Sequence, residues 1–101
     1  MLKSLFIAFL LSVYVHADYT QAYQLFLNGS YEKTIKELKK SKKQYSNPNL
    51  HLLWGHSAKE LGHLNEAMSA YERVLLLDST NTQAKTALEE IYTQMIHFVR
   101  L

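Results

Sequence analysis

The histidines and one Gly-His-Ser segment are the residues whose types and spacing could support chemistry. Gly55-His56-Ser57 matches the start of the G-x-S-x-G motif, in which a strained turn exposes a nucleophilic serine, but Lys59 stands at the fifth position and no strand precedes it. Metal ligands on one helix are normally three or four residues apart, whereas His51 and His56 are five apart. That spacing separates them by roughly 140° around a helix. We therefore expect surface histidines, and we predict no catalytic residue, no metal and no cofactor.

The overall composition excludes several other kinds of chemistry. The 101 residues contain no cysteine, so a disulfide framework, a thiol nucleophile and a cysteine-based zinc site are all excluded. A hydrophobic content of 48% supports a core, and the net charge of +2 is too small to identify a partner. Three glycines and one proline leave long stretches free to be helical. The composition therefore indicates a single small domain that is not an enzyme.

Lysines are concentrated in one segment. Residues 33–43 contain six lysines and a single glutamate, Glu37, for a net charge of +5. The simplest interpretation is a solvated helix face, and the alternative is attraction to an acidic partner or to anionic lipid headgroups. We expect no nucleic-acid binding, because no interleaved aromatic residues accompany the charge. The members of this basic patch are Lys33, Lys36, Lys39, Lys40, Lys42 and Lys43.

The first seventeen residues have the pattern of a secretory signal peptide. Lys3 is followed by an almost wholly apolar run from Leu5 to Val15, which is shorter than the roughly 20 residues that span a bilayer as a helix. Val15-His16-Ala17 places small residues where a signal peptidase cleaves, and the polar Asp18 follows. We predict a signal peptide at 1–17 and an exported domain at 18–101, with a bacterial periplasm as its location. An uncleaved segment that anchors the chain to a membrane is the alternative.

Two glycines divide the remaining chain into similar units. Gly29 and Gly62 are 33 residues apart, and matching positions after each carry alternating small and bulky residues. Apolar spacing and turn residues predict helices only. We predict these helices at about 18–28, 31–45, 48–61, 65–77 and from 82 onward, with Ser30 and Asn47 as N-caps and Pro48 in the first turn.

The unit from Pro48 to Asn81 resembles a complete tetratricopeptide repeat (TPR) of 34 residues. The family's small, turn and bulky positions are matched by Gly55, Ala58, Gly62, Leu64, Ala67, Tyr71, Val74 and Asp78. Trp54, His51 and Ser79 depart from its usual leucine, tryptophan and proline. Residues 18–47 resemble a degenerate repeat, and residues 82–101 resemble the helix that caps such arrays. The resemblance implies an all-α fold of antiparallel helix pairs, stacked as a short right-handed solenoid of about two repeats plus the cap.

The resemblance also implies a function and a binding surface. In this family the first helix of each repeat lines a concave groove that holds a peptide or a helix of a partner protein. The corresponding positions here are Tyr19, Tyr23, Phe26, Asn49, Leu52, His56 and Lys59. We therefore expect a protein-binding adaptor of the cell envelope. The alternative is an accessory piece that self-associates or completes a larger assembly, because about three repeats are normally needed for stability.

Overall fold

The computed structural model describes residues 17–100, and they form an all-helical domain. Its helices are α1 (Ala17–Leu27), α2 (Tyr31–Lys40), α3 (Pro48–Glu60), α4 (Leu64–Leu77) and α5 (Thr82–Arg100), with a short 3₁₀ helix at Lys42–Gln44. No strand occurs within these residues, which confirms the predicted fold class. The predicted signal peptide, apart from Ala17, lies outside the described residues.

The two glycine turns have the same geometry. Gly29 and Gly62 adopt φ values of 79° and 77°, in the left-handed region that favours glycine. After each turn the next backbone N–H reaches back to a carbonyl five residues earlier: Ser30 N to Leu25 O at 2.8 Å, and His63 N to Ala58 O at 2.9 Å. This pair of bonds is the Schellman closure of a helix C-terminus. The predicted internal repeat is therefore present in the backbone itself.

The N-termini of α2 and α3 differ in how they are capped. Asn47 Oδ1 accepts a hydrogen bond from the Asn49 backbone N–H at 3.0 Å, and Pro48 follows in the first turn, as predicted. Ser30 occupies the N-cap position of α2 but makes no side-chain capping bond. The Thr34 hydroxyl instead donates to the Ser30 carbonyl at 2.8 Å. Only one of the two predicted side-chain caps is therefore formed.

Helix α2 ends at Lys40 rather than near Tyr45 as the sequence predicted. Ser41 is buried, its hydroxyl donates to the Glu37 carbonyl at 3.1 Å, and its backbone N–H bonds to Leu38 O in the tighter 3₁₀ pattern. The Tyr45 hydroxyl then donates to the Lys39 carbonyl at 2.9 Å, which holds the chain in a compact turn. These local bonds to side chains replace the backbone bonds that would have continued the helix.

The core forms where small residues let helices approach. Ala58 on α3 and Ala67 on α4 are fully buried, and Gly55 lies directly against the ring of Tyr71. A Cβ atom on Gly55 would lie only 2.7 Å from Tyr71 Cε1. Close approach of α3 and α4 therefore depends on the absence of a side chain at this position.

Helix α5 packs against the repeats along only its first half. Ala84 and Ile91 are fully buried, whereas Ile96, Phe98 and Val99 are 53%, 73% and 86% exposed. None of the helices within residues 17–100 combines the length and the apolarity that a membrane crossing needs.

Short connections make successive helices antiparallel, so their ends gather at two places. The start of α1, the end of α2, the 3₁₀ helix, the start of α3, the end of α4 and the start of α5 lie at one end of the module. The glycine turns lie at the other end. This arrangement determines which side chains share a surface.

Candidate protein-binding groove

The first helices of the two repeats present polar and aromatic side chains to each other. Tyr19, Tyr23 and Phe26 recur at spacings of four and three on one face of α1, and Asn49, Leu52 and His56 recur at three and four on α3. The structure brings these six predicted residues together around one open cavity of about 260 Å³. Between α1 and α3 there is thus a groove of the size of one or two side chains.

Two further residues line this groove that the sequence did not indicate. Leu53 is buried beneath it, and Gln83, from the first turn of α5, closes its far side. The helix resembling a cap therefore takes the place that the first helix of a third repeat would occupy. Repeat spacing alone could have indicated Gln83, because α5 follows α4 as α3 follows α2.

Exposure within the groove is uneven. Tyr23 is 44% exposed, and its ring stacks on that of Tyr19 with centroids 6.4 Å apart. Phe26 is half-buried, because its ring contacts both Tyr31 of α2 and His56 of α3, with centroids at 5.5 Å and 6.4 Å. Tyr23 therefore offers contact area to a partner, while Phe26 mainly joins the helices that form the groove.

Lys59 lies apart from the other groove residues. It lines a neighbouring, more polar cavity of about 360 Å³ between α3 and α5, together with His56, Gln83 and Glu90. Its ammonium group forms an ion pair with the Glu90 carboxylate. His56 and Gln83 border both cavities, so the second cavity extends the groove toward the C-terminal end of α3.

His56 is a half-buried structural residue, in contrast to the expected surface histidine. Its Nδ1 lies 2.6 Å from the hydroxyl of the fully buried Tyr71, which donates to it when the imidazole is neutral. Burial lowers the pKa of His56; the Gln83 side chain opposes this shift, and the Lys59 ammonium adds to it. Burial likewise raises the pKa of Tyr71. Both groups are therefore neutral near pH 7, and the bond between them fixes the side chain at the centre of the groove.

His51 is also buried, so the sequence-based expectation was wrong for it as well. Its Nε2 donates to the Tyr45 carbonyl at 2.7 Å, and its Nδ1 accepts from Arg73 Nε at 3.1 Å. Burial lowers its pKa, the Tyr45 carbonyl opposes this shift, and Arg73 adds to it. Both ring nitrogens are occupied, because His51 joins the loop before α3 to α4. No group of residues within 17–100 is arranged to hold a metal ion.

Trp54 is held between several cationic and aromatic groups. The Arg73 guanidinium lies 4.8 Å from its ring centroid, His51 stacks at 6.3 Å, and the indole N–H donates to Glu66 at 3.0 Å. This cluster compensates for the departures at 51 and 54 from the usual repeat pattern. Ser57, the serine of the incomplete nucleophile motif, is fully buried and donates to the Leu53 carbonyl at 2.8 Å.

The basic patch does not contribute to the groove. Thr34, Ile35 and Leu38 form the buried face of α2, and its lysines point away from α1 and α3. All six members of the patch are exposed: Lys33, Lys36, Lys39 and Lys40 on α2, and Lys42 and Lys43 on the 3₁₀ helix. The groove and the patch are therefore separate surfaces.

Comparison with known proteins identifies the family. Residues 14–74 match the sequence model of the family described as "Anaphase-promoting complex, cyclosome, subunit 3", a family of TPR-type repeats. The chain belongs to this family of tetratricopeptide-type repeats. The match spans more than half of the TPR chain and covers α1, α2, α3 and most of α4. Searches of curated proteins and of solved structures found no significant match.

Membership of the family carries a general functional consequence. TPR repeats are protein–protein interaction modules and are generally not enzymes. The partners of this TPR protein are accordingly expected among proteins.

Proposed function

We propose that this TPR protein is an adaptor that holds a peptide or helix of a partner protein in the groove between α1 and α3. The observation that carries the proposal is the convergence of six side chains on one cavity: Tyr19, Tyr23, Phe26, Asn49, Leu52 and His56. Aromatic, aliphatic and amide groups are mixed there, and such a lining suits a short peptide that offers one apolar side chain and backbone hydrogen bonds. The occupied ring nitrogens of His51 and the buried hydroxyl of Ser57 fit a binding role better than a catalytic one.

We further propose that the adaptor works in the cell envelope, in a bacterial periplasm. The support is the apolar run from Leu5 to Val15 followed by Val15-His16-Ala17. Mass spectrometry of the protein isolated from an envelope fraction tests this proposal. A chain that begins at Asp18 supports export with cleavage, whereas recovery of the intact chain only from the cytoplasmic fraction contradicts it.

Selection from a peptide library, compared between two tyrosine variants, tests the groove directly. Tyr23 and Tyr92 are equally exposed, at 44% and 43%, but Tyr92 lies on α5 outside the groove. Selected peptides should lose roughly tenfold or more in affinity for Tyr23→Ala, because an aromatic anchor at the centre of an interface is commonly worth more than ~1.4 kcal/mol. They should bind Tyr92→Ala as they bind the wild type. Equal affinity for both variants would remove the groove from the account.

A second candidate function is self-association or completion of a larger solenoid. The specific observation in its favour is the exposed second half of α5, where Ile96, Phe98 and Val99 stand free of the repeats. Sedimentation equilibrium distinguishes the two: a folded monomer favours the adaptor, and a dimer that Phe98→Gln dissociates favours self-association.

A further inference from the structure

One end of the module combines positive charge with exposed leucines. The end of α2 and the 3₁₀ helix carry Lys39, Lys40, Lys42 and Lys43, and we call this the lysine end. The end of α4 lies beside it, because a cavity of about 220 Å³ is lined by Leu76 and Leu77 together with Tyr45, which follows the 3₁₀ helix directly. Leu76 is 86% exposed and Leu77 is 44% exposed.

The charge at the lysine end is largely uncompensated. Residues 38–59 contain no acidic residue. Among the described residues, the lysines of α2 make one ion pair, Lys40 with Glu37 at 3.5 Å. The other acidic residues at or near this end are Asp18, Glu72 and Asp78. Hydrogen bonds from Thr80 lower the pKa of Asp78, so it remains charged.

Acidic residues are more prominent at the opposite end of the module. Glu60 ends α3, and Glu66 lies in the first turn of α4, both next to the Gly62 turn. The module is therefore polarised, with its lysines at one end and these carboxylates at the other. An anionic surface would attract the lysine end and repel the glycine-turn end.

The apolar segment of the sequence joins the module at the lysine end. Helix α1 begins at Ala17, and its antiparallel partner α2 ends beside it, since both helices are about 15–17 Å long. The apolar run from Leu5 to Val15 precedes that point in the sequence. Positive charge, exposed leucines and the attachment of this segment thus coincide at one place.

We propose that the lysine end is a membrane-contacting face that binds anionic lipid headgroups. Lys39, Lys40, Lys42 and Lys43 contact the headgroups, and the exposed Leu76 side chain enters the apolar boundary beneath them. Lysines that snorkel around a few buried apolar side chains are the usual composition of such surfaces. The exposed leucines and the adjoining apolar segment favour a lipid surface over an acidic protein. The groove between α1 and α3 remains free in this orientation, so the inference does not depend on what the groove binds.

Flotation with vesicles of two compositions tests the proposal with the full chain. The apolar segment can enter phosphatidylcholine vesicles and vesicles that also contain phosphatidylglycerol, so the ratio of the two affinities isolates the headgroup contribution. A lysine near an anionic surface contributes roughly fivefold, and Lys42→Gln/Lys43→Gln should therefore lower the ratio roughly 25-fold. The protein should also lose its preference for anionic vesicles as salt increases.

The matched control removes the same charge elsewhere on α2. Lys33→Gln/Lys36→Gln should lower the ratio less than about fivefold, since Lys33 lies about one Debye length farther from the surface than Lys40. Equal losses in the two double variants, or no loss in either, would overturn the lysine end as the contact face. A loss by the Lys42/Lys43 variant of binding to soluble polyglutamate but not to vesicles would assign the surface to an acidic protein instead.

A second pair of variants tests the apolar contact. Leu76→Gln should weaken binding to anionic vesicles several-fold, whereas Leu27→Gln should not, because Leu27 is 58% exposed at the opposite end of the module. An equal effect of both substitutions would contradict the orientation. Far-UV circular dichroism of each variant shows whether its helical content is unchanged.

Discussion

Gly55→Ala places two well-known effects of one methyl group in opposition. Alanine favours a helix over glycine by about 1 kcal/mol. The added Cβ would, however, lie 2.7, 2.8 and 2.9 Å from Cε1, Cδ1 and Cζ of Tyr71, whereas carbon atoms pack best at about 3.5–4.0 Å. Tyr71 is fully buried, and its hydroxyl is hydrogen-bonded to His56 Nδ1, so the ring has little freedom to move. Overpacking of this kind costs about 1–3 kcal/mol and outweighs the gain in helix propensity.

We therefore expect Gly55→Ala to lower the free energy of unfolding by about 1–2 kcal/mol. Urea unfolding followed by circular dichroism measures this change. The control is the same substitution in a Tyr71→Leu background, where the clash is absent and alanine should be neutral or stabilising. A Gly55→Ala protein about 1 kcal/mol more stable than the wild type would refute the close approach of α3 and α4.

Three further predictions concern packing, capping and pH. Ala67→Leu should cost about 1–3 kcal/mol, because Ala67 is fully buried; unchanged thermal melts would contradict the helix crossing. Asn47→Ala should cost about 1 kcal/mol and Ser30→Ala less than about half of that, because only Asn47 makes a side-chain cap; equal costs in urea unfolding would contradict this difference. Burial lowers the pKa of both His51 and His56, so the unfolded chain binds more protons below about pH 6.5. The free energy of unfolding should accordingly decrease between about pH 7 and pH 5, and greater stability at pH 5 would show that the histidines are not buried as neutral groups.

Much of the fold could be predicted because its punctuation is local. Gly29 and Gly62 take the left-handed conformation that their positions indicated, and Asn47-Pro48 begins α3 as expected. The end of α2 could not be predicted in the same way. It depends on tertiary bonds such as that from His51 to the Tyr45 carbonyl, and no pattern of apolar residues records them.

The candidate site was predicted less evenly. Repeat spacing identified the side chains on α1 and α3 that line the groove, because residues three and four apart share a helix face. It misplaced Lys59, whose ion pair with Glu90 draws it toward α5. It also treated His51 and His56 as surface residues, because spacing indicates whether two histidines can share a metal but not whether each is buried.

Chemical-shift mapping by NMR tests the central claim most directly. A peptide selected on the wild-type protein would be titrated into isotope-labelled protein, and the backbone amides that shift would be assigned. The account predicts that the largest shifts cluster at Tyr19, Tyr23, Asn49, Leu52 and Gln83, the residues around the groove. Shifts confined to the second half of α5 or to the lysines of α2 would contradict it.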